Sequence, residues 1–246
     1  PLPPMAAGLF GYLGYDMIRH VETLPDENQD KLDVHDSVLM RPSVVAIFDR
    51  LKDTITICYQ IRPAHFETAE NAWKTANREL DSIESSLQAP LPSIPTVPEH
   101  VDVSTPQSNL SKDKFFDMVR KAKEYIKSGD IFQVVLSQRF TIPFNLPSFA
   151  LYRSLRRLNP SPFLFHFNLG DIAIVGSSPE ILVRLRDNEV TIRPIAGTRP
   201  RGQNEDEDRQ NAADLLSDIK ERAEHLMLLD LGRNDVGRVA QPRTVR

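Results

Sequence analysis

The chain has 246 residues, 30 Lys+Arg against 34 Asp+Glu for a formal net charge of -4, 40% hydrophobic residues, 19 Pro, and a single Cys. That size allows one large or two modest globular domains, while the mildly acidic balance lacks the basic footprint that nucleic acid requires. No run approaches the roughly 20 apolar residues of a bilayer span, and no secretory layout opens the chain, so a cytoplasmic protein without nucleic-acid or membrane partners is expected.

The opening GLFGYLGYD carries Gly8, Gly11 and Gly14 at three-residue steps. This is not the dinucleotide fingerprint, and close backbone packing is the better account. SVVAIFD and TITICYQ flank the polar turn RLKD, which predicts an antiparallel hairpin. Cys58 lies in its second strand, where a buried, inert thiol is expected rather than a nucleophile. A lone cysteine and scattered histidines offer no zinc site. Phe66, Ala69, Trp73, Ala76, Leu80, Ile83 and Leu87 then recur at helical spacing and read as a core-facing stripe. Residues 85–108 hold Pro90, Pro92, Pro95, Pro98 and Pro106, which deny helices and central strands their donors. They read as a linker between regions 1–84 and 109–246.

Beyond it, Ser111 is placed to cap a helix and Gly129 to end it. Strand-like runs follow: IFQVVLSQRFTI, then FLFHFNL with DIAIVGSS, then ILVRLR with EVTIRPI across Asp187 and Asn188. Gln133 sits on the first run, with apolar residues on both faces predicting burial on both sides. Its amide is either a structural bond-maker or a group kept for a ligand. Strands clustered ahead of helices, without βαβ alternation, predict an α+β fold of mostly antiparallel sheet.

The loop Ile195, Ala196, Gly197, Thr198, Arg199, Pro200, Arg201, Gly202 combines a glycine, a hydroxyl and two guanidinium groups, a set suited to an anion. Alternatively, its arginines pair with Glu205, Asp206 and Glu207. A long helix is expected from about Arg209 to Leu229, with Ala212, Leu215, Leu216, Ile219, Ala223, Leu226 and Met227 as its buried stripe. Asp214, Asp218, Glu221 and Glu224 line up along another side, where like charges repel unless a cation or basic partners compensate. The plain reading is a solvated acidic face; the chemical one is a hard-ion site, for which Glu221 and Glu224 suffice.

Six blocks in this order, GLFGYLGYDMIRHVETLP, DIFQVVLSQRF, NPSPFLFHF, GSSPEILVR, PIAGTRPRG and KERAEHLMLLDLGRNDVGRV, resemble the chorismate-utilising enzymes, and within them the anthranilate synthase large-subunit (component I) family. The resemblance implies two packed, mostly antiparallel sheets flanked by helices, and a site that binds chorismate with Mg²⁺. It makes Glu224 a Mg²⁺ ligand and Glu221 a carboxylate near the ion or active in proton transfer. Gly197 and Thr198 become the donors that hold the substrate carboxylate. Relatives that add water carry a lysine where this chain has Gln133, and aminodeoxychorismate synthases carry a nucleophilic lysine where it has Ala196. Amide and alanine therefore favour amination to anthranilate, the first step of tryptophan biosynthesis, over the isochorismate and aminodeoxychorismate alternatives. A glutamine amidotransferase subunit would supply ammonia in a hetero-oligomer.

Asn159, Pro162, Phe163 and Leu164 match part of an allosteric tryptophan site for feedback inhibition, which leaves a non-catalytic tryptophan-binding module as a further alternative. Family members are longer, and their catalytic histidine, a further glutamate, and a Tyr and Arg that clamp substrate match nothing before Arg246. With no Met at position 1, an internal piece, inactive alone, is expected.

Overall fold

The computed structural model describes residues 2–91 and 104–246. They belong to two compact units, Pro1–Asp102 and Val103–Arg246. Residues 92–103 of the expected linker lie outside the described residues. Its opening residues 85–88 instead complete a helix, and Gln107 and Ser108 near its end form a strand.

In the first unit, β1 (Phe10–Leu13) pairs antiparallel with β2 (Ser37–Met40). A Cβ on Gly11 would overlap the Val38 carbonyl, and one on Gly14 would come within 2.8 Å of the Asp36 oxygen. Gly11 and Gly14 thus serve close backbone approach, as expected, whereas a Cβ on Gly8 would meet only the Phe10 ring at 3.8 Å. β3 (Val44–Asp49) and β4 (Thr54–Tyr59) form the expected hairpin, Val44 opposite Tyr59. Its turn is fixed locally, because the Asp49 carboxylate accepts from the N–H groups of Leu51 and Lys52 at 3.0 and 3.2 Å. Cys58 is half-buried.

α1 (Ala69–Gln88) starts at Thr68, whose hydroxyl accepts from the Asn71 N–H. It packs on β4 through Ala72 and Ala76, the two buried residues of the helix. Trp73, placed in the core stripe by its spacing, is 66% exposed. Leu80 and Ile83 of the same stripe are half-buried, so the stripe is only partly covered.

In the second unit, β5 (Gln107–Ser108) precedes α2 (Lys112–Ser128). Ser111 caps that helix and Gly129 closes it in the left-handed region at φ 83°, as the sequence requires. β6 (Phe140–Thr141) pairs with β5. Residues 131–139 are not a strand: among the described residues 131–138 have no partner strand in register, Arg139 meeting only Asn109, and a strand needs one to fill its N–H and C=O groups. Nor is that run buried on both sides, since Phe132 is 89% exposed and Gln133 is exposed as well.

α3 (Ser148–Leu158) packs on the hairpin of β7 (Phe163–Asn168) and β8 (Ala173–Ser178). The Ser148 hydroxyl meets His166 Nε2 at 2.9 Å, and Phe149 and Tyr152 stack beside that imidazole. A Cβ on Gly176 would overlap the Phe165 ring, so the hairpin needs glycine there. β9 (Arg184–Arg186) and β10 (Glu189–Thr191) turn through Asp187 and Asn188, both left-handed at φ 50° and 62°. That is a type I′ turn, which matches strand twist.

Two helices close the chain, α4 (Glu205–Ser217) and α5 (Ile219–Gly237). The single long helix expected from Arg209 to Leu229 is broken at Asp218, which ends α4 and caps α5 at φ -69°, ψ 114°. The break resets the helical phase, so the stripe drawn through it fails: Leu216, Leu226 and Ile219 are exposed, the last at 83%. The fold is α+β, with antiparallel pairing in all five ladders of the described residues, each two-stranded.

Candidate functional site

From Gly197 to Asn204 the loop after β10 is held by contacts with α4 and α5. Gly197 adopts φ 79°, the left-handed region where a side chain is strained. A Cβ there would sit 2.9 Å from Glu221 Oε2 and 2.9 Å from Leu215 Cδ1. The glycine thus brings the 197–198 backbone directly against the first turn of α5. Thr198 is exposed and Ala196 half-buried beside it.

Arg199 is the centre of the arrangement. Its Nε donates to Asp214 Oδ2 at 2.6 Å and its Nη2 to Asp218 Oδ2 at 2.8 Å. Its Nη1 donates to the Thr198 carbonyl at 3.1 Å and lies 3.6 Å from Glu221 Oε1. The side chain is 23% exposed. Three of the four carboxylates in the acidic line therefore share one guanidinium, and the repulsion expected among them is relieved from within the chain. The arginines do not pair with Glu205, Asp206 or Glu207; Arg201 bonds Asp208 at 3.0 Å instead.

The rest of the loop is tied to α4. Asp208 accepts from the Gly202 N–H at 2.6 Å, Glu207 from the Gln203 N–H at 2.7 Å, and the Pro200 carbonyl from Asn211 at 3.0 Å. Asn204 caps α4 by accepting from Glu207 N–H. The Gly202 N–H first, and the Arg201 guanidinium second, hold the Asp208 carboxyl below the usual range.

Asp218 divides its two oxygens. Oδ1 accepts from the N–H groups of Lys220 and Glu221 at 2.9 and 3.3 Å, while Oδ2 faces Arg199. The Glu221 N–H, followed by Arg199, lowers the Asp218 carboxyl below its ordinary value, and Asp214 and Asp218 in turn raise Arg199. A folded value below the unfolded one, about 3.9, means that the stability from this cap is present above that pH. It is lost as pH falls through the folded value. An NMR titration of the Asp218 side-chain carboxyl is expected to give a midpoint below that of an unstructured aspartate; an equal or higher midpoint would contradict the cap and ion pair together.

Gln133 lines a cleft of about 630 Å³ with Ile131, Phe132 and residues of the C-terminal half of α5, among them Met227, Asp230 and Asn234. That volume lies within the range of small-molecule sites. Glu224 stands on α5 between this lining and Glu221, and is half-buried. The structure thus brings Gly197 and Glu221 together and sets Gln133 against the same helix further along; Glu224 is not in the lining of the Gln133 cleft. Asn159 ends α3 and its carbonyl accepts from the Ser177 hydroxyl, with Pro162, Phe163 and Leu164 next to it where β7 begins. The sequence places Asp218 in the acidic line and Arg199 in the loop but does not show that they pair; the signal for that pairing is the unbalanced acidic line.

Among the described residues no group of three or more His, Cys, Asp and Glu side chains could hold a metal ion by itself. Two carboxylates still fit a hard divalent ion, which completes its oxygen shell from substrate and water. The Gly197 turn gives a further reason. An anion bound there would lie beside the Glu221 carboxylate, and the Arg199 guanidinium, already shared with Asp214 and Asp218, offsets only part of that added negative charge.

Comparison with known proteins covers the whole chain. Residues 1–246 match the chorismate binding enzyme family. Anthranilate synthase component 1 of Cereibacter sphaeroides is 57% identical over 246 residues, which are 100% of this chain and 49% of that protein. The Thermus thermophilus protein of the same name is 44% identical over 245 residues, 100% of this chain and 51% of its own length. The crystal structure of anthranilate synthase component I from Streptococcus pneumoniae superposes with a TM-score of 0.79 at 36% identity, covering 97% of this chain and 51% of that one. The chain spans about half the length of the curated relatives it matches. Among the described residues, no helix is long and apolar enough to cross a membrane.

Proposed function

The chain belongs to the chorismate-binding enzyme family, and from that premise we propose that it forms part of an anthranilate synthase large subunit. The reaction is amination of chorismate by ammonia with elimination of pyruvate. What carries the reading is the contact of the Gly197 turn with Glu221, in a chain 57% identical to an anthranilate synthase component 1.

In this reading the backbone N–H groups at Gly197 and Thr198, with the Thr198 hydroxyl, hold the substrate carboxylate. Glu224 and Glu221 would hold Mg²⁺, which supplies Lewis-acid stabilisation of substrate negative charge when bound. The Gln133 amide orients ammonia; being neutral, it cannot deprotonate water, and ammonia needs no such base. Nitrogen bonds to ring C2 as the C4 hydroxyl leaves as water. The C2 proton and the enolpyruvyl group are then lost, giving anthranilate and pyruvate, with Glu221 placed to move a proton. Ala196 offers no nucleophile for a covalent alternative.

Ammonia would come from a glutamine amidotransferase partner in a cytoplasmic hetero-oligomer. Asn159, Pro162, Phe163 and Leu164 would contribute to a tryptophan site for feedback inhibition.

The test is to supply a full-length large subunit carrying this sequence with chorismate, ammonium and Mg²⁺, and to follow anthranilate fluorescence and pyruvate release together. Equal amounts of both are expected. Isochorismate or aminodeoxychorismate as the product, with no pyruvate, would overturn the assignment.

A further inference from the structure

The proposed reaction assigns work to Gly197, Thr198 and Glu221 but none to Arg199, the residue that joins them. We propose that Arg199 is a positioning residue for this reaction: it latches the Gly197 turn to the Asp218 joint and keeps Glu221 as its loosest partner, free to turn toward a ligand without releasing the loop. The inference rests on the functional reading above.

The distances rank the three carboxylates. Asp214 at 2.6 Å and Asp218 at 2.8 Å are charge-assisted hydrogen bonds, whereas Glu221 at 3.6 Å is beyond hydrogen-bond range. Of the two firm partners, Asp218 is also committed through Oδ1 to the backbone of α5, while Asp214 on α4 is bonded through its carboxylate to Arg199. Glu221 has no such commitment among its described contacts. The guanidinium is suited to this because its planar fork reaches three directions at once while its Nη1 also bonds the Thr198 carbonyl. An ammonium is a single point and cannot bridge α4, the joint and its own loop at once. Arg199 therefore fixes the turn that receives a substrate carboxylate over the side chain that must respond to it.

The experiment compares Arg199→Ala, Arg199→Lys and, as a control, Arg201→Ala in the full-length enzyme, with circular dichroism to establish the fold. Arg201 is 92% exposed and bonds only Asp208 among its described partners. Chorismate KM is expected to rise at least tenfold in both Arg199 variants, with kcat per folded enzyme falling less, and to stay within twofold in Arg201→Ala. Backbone amides of residues 197–202 should exchange with deuterium about tenfold faster when Arg199 is absent. An unchanged KM in Arg199→Ala, or full rescue by lysine, would overturn the latch. Should Arg199→Ala fail to fold, Asp214→Asn removes one contact and is expected to raise both KM and exchange; no change in either overturns the proposal. Wild-type enzyme that makes no anthranilate would sink the functional reading alone, and the exchange rates would then decide the latch by themselves.

Discussion

Replacing Glu224 with glutamine in a full-length large subunit carrying this sequence is expected to abolish Mg²⁺-dependent anthranilate formation, a fall of roughly 10³-fold in kcat. The substitution keeps the shape of the side chain and exchanges one oxygen for an amide nitrogen. A hard divalent ion takes oxygen ligands and gains little from a neutral amide in place of a carboxylate. Losing about 4 kcal/mol of transition-state stabilisation corresponds to a factor near 10³. Since Glu224 stands on α5 one turn beyond Glu221, the change leaves the Arg199 contacts intact, and the Gly197 turn should keep its conformation. Anthranilate fluorescence measured across a Mg²⁺ series checks this. Activity within threefold of wild type at saturating Mg²⁺ would strike Glu224 from the ligand set.

The chain of 246 residues, expressed by itself, is expected to bind a hydrophobic dye strongly, to unfold without a sharp thermal transition, and to produce no anthranilate. Among the described residues the buried apolar side chains are Ala6, Ala72 and Ala76. Most other apolar side chains are at best half-buried, and residues such as Phe132, Val135, Leu182 and Ile219 stay largely exposed. Local hairpins and helices can form while the packed core that makes unfolding cooperative is thin. A melt followed by circular dichroism, with dye fluorescence in parallel, tests it. One steep transition with no dye binding would show that the core is sufficient.

What could be read in the sequence was what short-range chemistry decides. Asp187 and Asn188 specify a left-handed pair between two short strands, Asp49 organises its turn, and Ser111 and Gly129 bracket α2; each is settled within a few residues. Segment 131–139 was misread for the opposite reason: its β-branched and aromatic residues suit a strand, but a strand is made by its neighbour. The break at Asp218 was hidden because Ile219 and Leu226 prolong the apolar rhythm without proline or glycine to interrupt it. Nothing in that rhythm shows that an aspartate can end one helix and cap the next when an arginine nineteen residues earlier holds its other oxygen. The acidic line gave the one hint, since four carboxylates in a row demand a positive partner. Spacing alone leaves the Gly197 loop and Gln133 open, and only motif resemblance singles out the candidate site residues.

The interruption at Asp218 also relocates a charge. Aligned peptide dipoles leave roughly half a positive unit at the start of a helix, felt within its first turn and worth about 0.3–1 kcal/mol to an anion there. Had α4 and α5 run on as one rod, that pole would lie only near Glu205, and Glu221 would sit mid-rod where the field cancels. With a fresh start at Ile219, the positive end of α5 falls where Glu221 faces the Gly197 turn. The backbone thus supplies a field that favours the Asp218 and Glu221 carboxylates at that joint, present whether or not any ion is bound.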